Sequence, residues 1–504
     1  MAQELRTIAL VAPAFKGINT EDSPIAQDPS FAEIADNAVI DKRGRIASRK
    51  GYSAITTTRG DLSADKPLTV IHEFEDNAGN TEILSAGDTK IFKGTATLTT
   101  LDSTSITAND WKVVNFNNKA YFFQKDHEPV VYSSGGTTQK LSTVSGAAGV
   151  SSAIYGNEVL SAYGRLWTAD ITNDTSTVYW SDLLIGHNWS GGTSGSINIS
   201  KVWPDGYDEI VALAAHNGLL IIFGQHSIVV YQGAEAPATM SLADTVSGVG
   251  CVNRNTVQST GTDVIFLSNT GLRSFGRTIQ EKSMPISSLS KTITKDIITL
   301  LQNETTFKSV YSPEESFYLL SFVDSNTTYC FDLRGTLENG ALRVTRWISS
   351  VFNSYARLDN GTLYIGTTDG ITEYTGYTDN GSFYRFRYYS PSLTFGDSSR
   401  LKFIKKIQPT VFGGTDSTAF VKFAYDFDNT YKTTNLEIGS NNPAEFNIAQ
   451  YNIDEFTGGK LVVRKVLNAT GSGSTVVIGL EADIDGNILS IQEINIMALL
   501  GKIV

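Results

Sequence analysis

The chain has 504 residues, of which 18% are charged and 41% hydrophobic, and a net charge of −12. That balance allows a large buried core, and it excludes wholesale disorder, long solvated coiled coils and a broadly cationic nucleic-acid binder. Two cysteines, Cys251 and Cys330, are too few for a disulfide framework or a four-thiolate zinc site and read as small buried apolar residues. No apolar run approaches the ~20 residues of a membrane helix. The opening MAQELRTIALVAPAF lacks the basic start of a signal peptide. The expectation is a chain made in a cytoplasm, without a membrane span.

Residues 1–65 contain Pro13, Pro24 and Pro29, a stretch PSFAEIADNAVI (29–40) with helical spacing, and a basic cluster DKRGRIASRKG (41–51). They read as an N-terminal arm or assembly region.

From residue 66 to 380 one idea recurs: a strand, a tight turn with Gly, Asn or Asp, and a second strand rich in Tyr, Phe, Ile and Val. Its seven instances span 82–94, 118–135, 164–182, 217–233, 261–276, 315–335 and 361–376. Their starts lie 36 to 54 residues apart, room for one four-stranded blade with variable loops. The pattern predicts a β-propeller of about seven blades, a ring that also removes exposed sheet edges. A sandwich or solenoid of similar hairpins is the competing reading. One segment, MPISSLSKTITKDIITLLQNE (284–304), sets Leu289, Ile293, Ile297, Leu300 and Leu301 on one face and predicts a helix covering the propeller's side.

Residues 381–504 alternate without the blade turn, as in SFYRFRYYSPSLTFG, AFVKFAYDFD, GKLVVRKVL, STVVIGLEAD and LSIQEINIMAL. They predict an added antiparallel, sandwich-like β domain formed with the chain ends. The class is therefore all-β.

Catalytic chemistry is not visible. The histidines His72, His127, His187, His216 and His226 show no zinc spacing, and no nucleophile elbow, H-E-x-x-H or phosphate loop occurs. DIDGN (483–487) begins like a calcium loop but lacks its twelfth-position Glu, so a hairpin turn is expected. No enzyme activity, cofactor or metal is expected.

The block 13–52, with Gly17, Asn19, Asn37, Gly44, Arg49 and Gly51 in order, resembles the start of the tail hub or nozzle family of short-tailed bacteriophages. YWSDLLIGHNW (179–189) and the closing run 471–502 resemble it too. The resemblance implies a virion structural protein, a homohexamer below the portal and adaptor with tail fibres or spikes nearby. Its lumen would pass genome DNA with only transient contact. An acidic balance suits that role, because each phosphate neutralised would add affinity and slow transit. Assembly contacts are then expected from Phe15, Phe31, Ile34 and the 491–500 strand. Lys42, Arg43, Arg45, Arg49 and Lys50 would dock an acidic neighbour, a solvated face being the alternative. Deleting residues 1–52 is expected to leave a folded propeller. A carbohydrate-binding or carbohydrate-active propeller and a receptor-binding spike or fibre are the other classes that fit.

Overall fold

The computed structural model describes residues 5–102, 106, 110–281, 288–348, 350–413, 418–428, 430–438 and 462–503. Each of the seven expected hairpins is present, and each belongs to a different sheet. The local reason is turn chemistry. His216 pairs with Leu219 across Asn217 and Gly218, which have φ of 49° and 76°. That is the left-handed pair a two-residue turn needs to match strand twist. Asn117–Asn118 and Tyr163–Gly164 close their hairpins in the same way.

The sheets form a six-blade propeller arrangement, each blade four-stranded. Five span 70–102, 112–140, 158–198, 210–246 and 307–347. The sixth joins Ser354–Arg357, Leu363–Thr367 and Gly370–Tyr374 to the N-terminal strand Tyr52–Ala54, with Tyr52 opposite Tyr374. Between the fourth and fifth blades lies a three-stranded sheet, Gln258–Ser259, Val264–Ser268 and Gly271–Ser274. Innermost strands touch their neighbours in turn, and Ser354–Arg357 returns to Val70–Glu75 to close the ring. Separate apolar clusters wedge between adjacent sheets. Trp167 and Trp180 with Leu220 and Ile222 fill one, and Phe223 with Phe266 another. Burial on both faces is what holds such a ring together.

In the three-stranded sheet the fourth strand is replaced. The chain passes from Ser274 directly into the helix Phe275–Glu281, and a second helix, Thr294–Leu301, buries Ile297 in a core shared with the chain ends. The expected helix is thus shorter than its sequence pattern, and residues 284–287 of that pattern lie outside the described residues.

Residues 29–40 are not helical. They form short strands, Phe31–Ala32, Ile34–Asp36 and Ala38–Ile40, with Asn37 in a left-handed conformation between the last two. Ile34–Asp36 lies between Leu342–Trp347 of the fifth blade and Tyr384–Tyr389, and so continues that blade into Val476–Ile484, Thr418–Tyr425 and Lys432–Glu437. A second sheet is built on the long pair Arg400–Gly413 and Leu489–Ile503, flanked by Leu5–Leu10 and Ile46–Ser48. Both sheets face one cluster that holds Phe15, Phe386, Tyr388, Ile407, Leu480 and Ile496. The DIDGN segment does not close a hairpin. It carries the chain from Val476–Ile484 in one sheet to Leu489–Ile503 in the other.

The N-terminal segment is therefore woven through both end sheets and the last blade. Removal of residues 1–52 strips Phe15 from the core, the strand bridging blade and end sheet, and Tyr52 from the closing strand. Contrary to the sequence expectation, the truncated chain should show no cooperative thermal transition by circular dichroism. A folded propeller with a parent-like melt would contradict this.

Candidate functional site at the chain-end seam and the propeller axis

At the seam between propeller and end sheets lies Arg49, 1% exposed. Its Nη1 donates to Asp379 Oδ1 at 2.8 Å and its Nη2 to Asp379 Oδ2 at 2.6 Å, a two-pronged pair. Nε donates to Asn37 Oδ1 at 3.2 Å, and the guanidinium stacks 4.2 Å from the Tyr384 ring centroid. Burial works against the charge, and the Asp379 carboxylate more than offsets it, so the guanidinium is held more firmly protonated than usual. Asn37 also accepts from the Ile348 amide and donates to the Arg385 carbonyl, tying three elements to one side chain.

The residues that carry the family resemblance share this structural duty. A Cβ on Gly17 would stand 2.5 Å from the Val344 nitrogen, and one on Gly51 would stand 1.9 Å from the Thr378 oxygen. Only glycine lets the N-terminal strand lie so close to the blade and to the 378 turn. Asn19 turns the chain by accepting from the Glu21 and Asp22 amides.

The expected assembly residues divide. Phe15 is fully buried, and Arg45 is buried with its guanidinium 2.6 Å from Asp41 and 4.4 Å from the Phe412 ring centroid. With Arg49, these side chains hold the protomer together and offer no surface to a neighbour. Phe31 and Ile34 are half-buried, and Lys42 and Arg43 are exposed. Lys50 is ion-paired to Glu315.

A charged face that sequence reading missed lies on the sheet around Tyr384–Tyr389. Asp36 is fully buried between Arg346 and Arg387, each 2.7 Å away. Glu481 is held by Lys422 at 2.8 Å and Arg385 at 3.2 Å, and it accepts from the Tyr389 hydroxyl at 2.5 Å. Burial pushes the Glu481 carboxyl up, while these donors outweigh it and hold it below its ordinary range. The acids lie beneath and the cations lie toward solvent. Arg385 and Arg387, two apart on one strand, were the available signal.

The propeller axis holds a cavity of ≈680 Å³ lined by innermost strands, with His72, Lys112, Lys308 and Arg357 among its walls. Charged side chains bridge it. Asp110, before the second blade, accepts from Lys308 Nζ of the fifth blade at 2.9 Å, while its backbone carbonyl accepts from Arg254 at 2.6 Å. Burial would raise the Asp110 carboxyl, but Lys308 and Arg254 hold it down at about 2. Nearby, Glu158 is buried 3.9 Å from Lys112, and burial pushes its carboxyl up. Among the described residues no group of His, Cys, Asp and Glu is placed to hold a metal ion. Cys251 and Cys330 are free and buried, as expected.

No family model matches the sequence, and no curated protein matches it. Among solved structures, the extracellular domain of the one-component system BT4673 from B. thetaiotaomicron is similar over 67% of this chain and 41% of its own, with 11% identity and a TM-score of 0.41. This chain thus spans about two fifths of that one. The WD40 domain of Neurospora crassa Pan2 is similar over 65% of this chain and 95% of its own, with 8% identity and a TM-score of 0.37. Neither likeness bears on ligand, partner or activity, and the blade arrangement rests on the strand pairing above.

Two expectations follow. Arg49→Ala leaves Asp379 unpaired in a nearly dry site and should lower unfolding free energy by about 3–5 kcal/mol in urea titrations. Arg49→Met with Asp379→Leu should recover most of that loss, since a packed apolar pair replaces buried charge at little cost. Asp110→Asn should lower stability at pH 7, by under about 1 kcal/mol because half of the Asp110 side chain is open to solvent. A carboxylate held down at about 2 stabilises fully above its unfolded value of 3.8 and loses that contribution as pH falls through 2. The gap between variant and parent should therefore close between about pH 4 and pH 2. A gap that widened there would contradict the assignment.

Proposed function

We propose that this protein is a structural subunit of a short-tailed bacteriophage tail. It would be a hub or nozzle component assembled as a homohexamer below the portal and adaptor, with genome DNA passing through the ring during ejection. The observation that carries the reading is the weave of residues 5–54. Of the positions by which the sequence resembles that family, Gly17, Asn37, Arg49 and Gly51 lie where the N-terminal segment meets the blades and end sheets.

In this reading the three-stranded sheet is a seventh, incomplete blade, its fourth strand given up to the helices that join it to the chain ends. The two end sheets form a sandwich-like domain over their common core. The division into 1–65, 66–380 and 381–504 then describes chain segments rather than separable bodies, since the first segment supplies strands to both others.

The axis supports a division of labour. With Asp110, Arg254 and Lys308 meeting across it, the propeller has no through-passage for a duplex, so a DNA channel would lie between copies. A chain of net charge −12 gives such a channel few cations with which to hold phosphates. The propeller's outer edges are short, so contacts to other copies, to adaptor and portal-side proteins and to fibres or spikes would fall mainly on the end sheets and loops. In its mature place the protein would belong to the virion tail, and no catalytic role is proposed for it.

Quantitative mass spectrometry of purified short-tailed virions that encode this chain is the test. Six copies per tail are expected. Absence from the particle, or three copies, would overturn the reading in favour of a non-virion propeller or a trimeric spike.

A further inference from the structure

The axial cavity is not symmetric about the propeller. Its walls come from the first, second, fifth and sixth blades and from the three-stranded sheet, and the third and fourth blades contribute none. It opens beside the shortest of the innermost strands. Gln258–Ser259 has two residues, whereas its counterparts run from four, Ser354–Arg357, to seven, Ile210–His216. The chain turns away from the axis at Gly261, φ 82°, and that turn lines the opening. Trp111 and Lys308 are buried, 3% and 8% exposed, and form the floor. Glu75, Ser259, Arg357 and Asp359 are exposed and form the mouth. The result is a funnel of ≈680 Å³, inside the roughly 300–1,000 Å³ of small-molecule sites.

What the funnel offers a ligand is hydrogen bonds of both kinds and no net charge. Lys112, Lys308 and Arg357 stand against Glu73, Glu75 and Asp359. His72, bonded to Asn115 at 2.7 Å, is pushed by burial toward its neutral form. Two of the cations are already committed, Lys308 to Asp110 at 2.9 Å and Arg357 to Glu314 at 2.6 Å. The Glu75 and Asp359 carboxylates have no ion pair among the described residues. An anion entering the mouth therefore meets unspent negative charge before it meets a free cation. Donors are free on the half-buried walls. Lys112 lies 3.9 Å from Glu158, beyond hydrogen-bond reach, and the Asn255 side-chain amide has no partner among the described residues. A sugar hydroxyl both donates and accepts, so a run of them answers ammonium, amide and carboxylate groups that share one funnel. Bonds of that kind to charged groups are the strong ones. Val113 and Tyr311, half-buried among the walls, give apolar surface to the C–H face of a sugar ring.

We propose that this funnel binds a neutral oligosaccharide, with Lys112 and Asn255 donating to its hydroxyls and Glu73, Glu75 and Asp359 accepting from them. The site needs only one copy of the chain, so it stands or falls apart from the tail ring proposed above.

The labelled full chain applied to an array of neutral and anionic glycans reads the proposal. Neutral oligosaccharides should bind, and uronic- or sialic-acid-bearing ones of the same length should not. Titration calorimetry with the strongest neutral glycan then locates the contact. Ser259→Trp plugs the mouth, and Glu75→Gln with Asp359→Asn removes both unspent carboxylates. Each change should weaken binding at least about tenfold. All three positions are exposed, so melting temperatures should stay at the parent value. Capture of no neutral glycan would overturn the proposal, and so would capture of anionic glycans alone. A neutral glycan bound equally by the parent and both folded variants would put the contact elsewhere on the surface and overturn the funnel. None of these results alters the copy number in purified tails, which tests the ring reading separately.

Discussion

The buried pair between Arg49 and Asp379 is the interaction on which the rest of this architecture depends. It joins the N-terminal segment to the turn that follows the last blade, 330 residues away. A guanidinium taken out of water costs several kcal/mol unless every donor is answered. Here Asp379 takes two of them, Asn37 and the Lys50 carbonyl take others, and the Tyr384 ring covers the face. A greasy pair could fill the same space, but it would not dictate which strand meets which. The charge pair fixes the chain just before the short strand Tyr52–Ala54 joins the sixth blade antiparallel to Gly370–Tyr374.

From that lock follow two further features. Tyr52–Ala54 is delivered to the sixth blade and closes the ring with a strand from the opposite end of the chain. Ile34–Asp36 is inserted between the fifth blade and Tyr384–Tyr389, so that blade and end sheet become one continuous hydrogen-bonded surface. The outer edge of the fifth blade is thereby covered, and the propeller's axis is crossed by Asp110, Arg254 and Lys308. What remains for binding other chains lies outside: the charged face around Arg385 and Arg387, the long strands Arg400–Gly413 and Leu489–Ile503, and the loops.

The hairpins were legible because their determinants are local. Alternation of apolar residues and short turns with Gly, Asn or Asp are written within each hairpin, so all seven were found, as were the five strands of the C-terminal segment. The 29–40 segment was misread for the opposite reason. Phe31, Ile34, Ala35 and Ala38 fall at helical spacing, yet Ile34 and Ala35 pair with Tyr389 and Tyr388, and Asp36 with Arg346 and Arg387, and pairing with distant strands overrides a local period. Within the basic cluster, Arg45 and Arg49 are buried while Lys42 and Arg43 are exposed. A run of Lys and Arg reads as a solvated face, and nothing near Arg45 or Arg49 announces Phe412, Tyr384 or Asp379. DIDGN has the composition of a hairpin turn, but the two strands it joins belong to different sheets.

If one N-terminal lacing unites propeller and end sheets, the protein should unfold as a unit despite its size. Differential scanning calorimetry of the full chain measures this most directly. The account predicts one transition, with calorimetric and van't Hoff enthalpies in agreement. Two separate transitions, with the end sheets melting before the propeller, would contradict it.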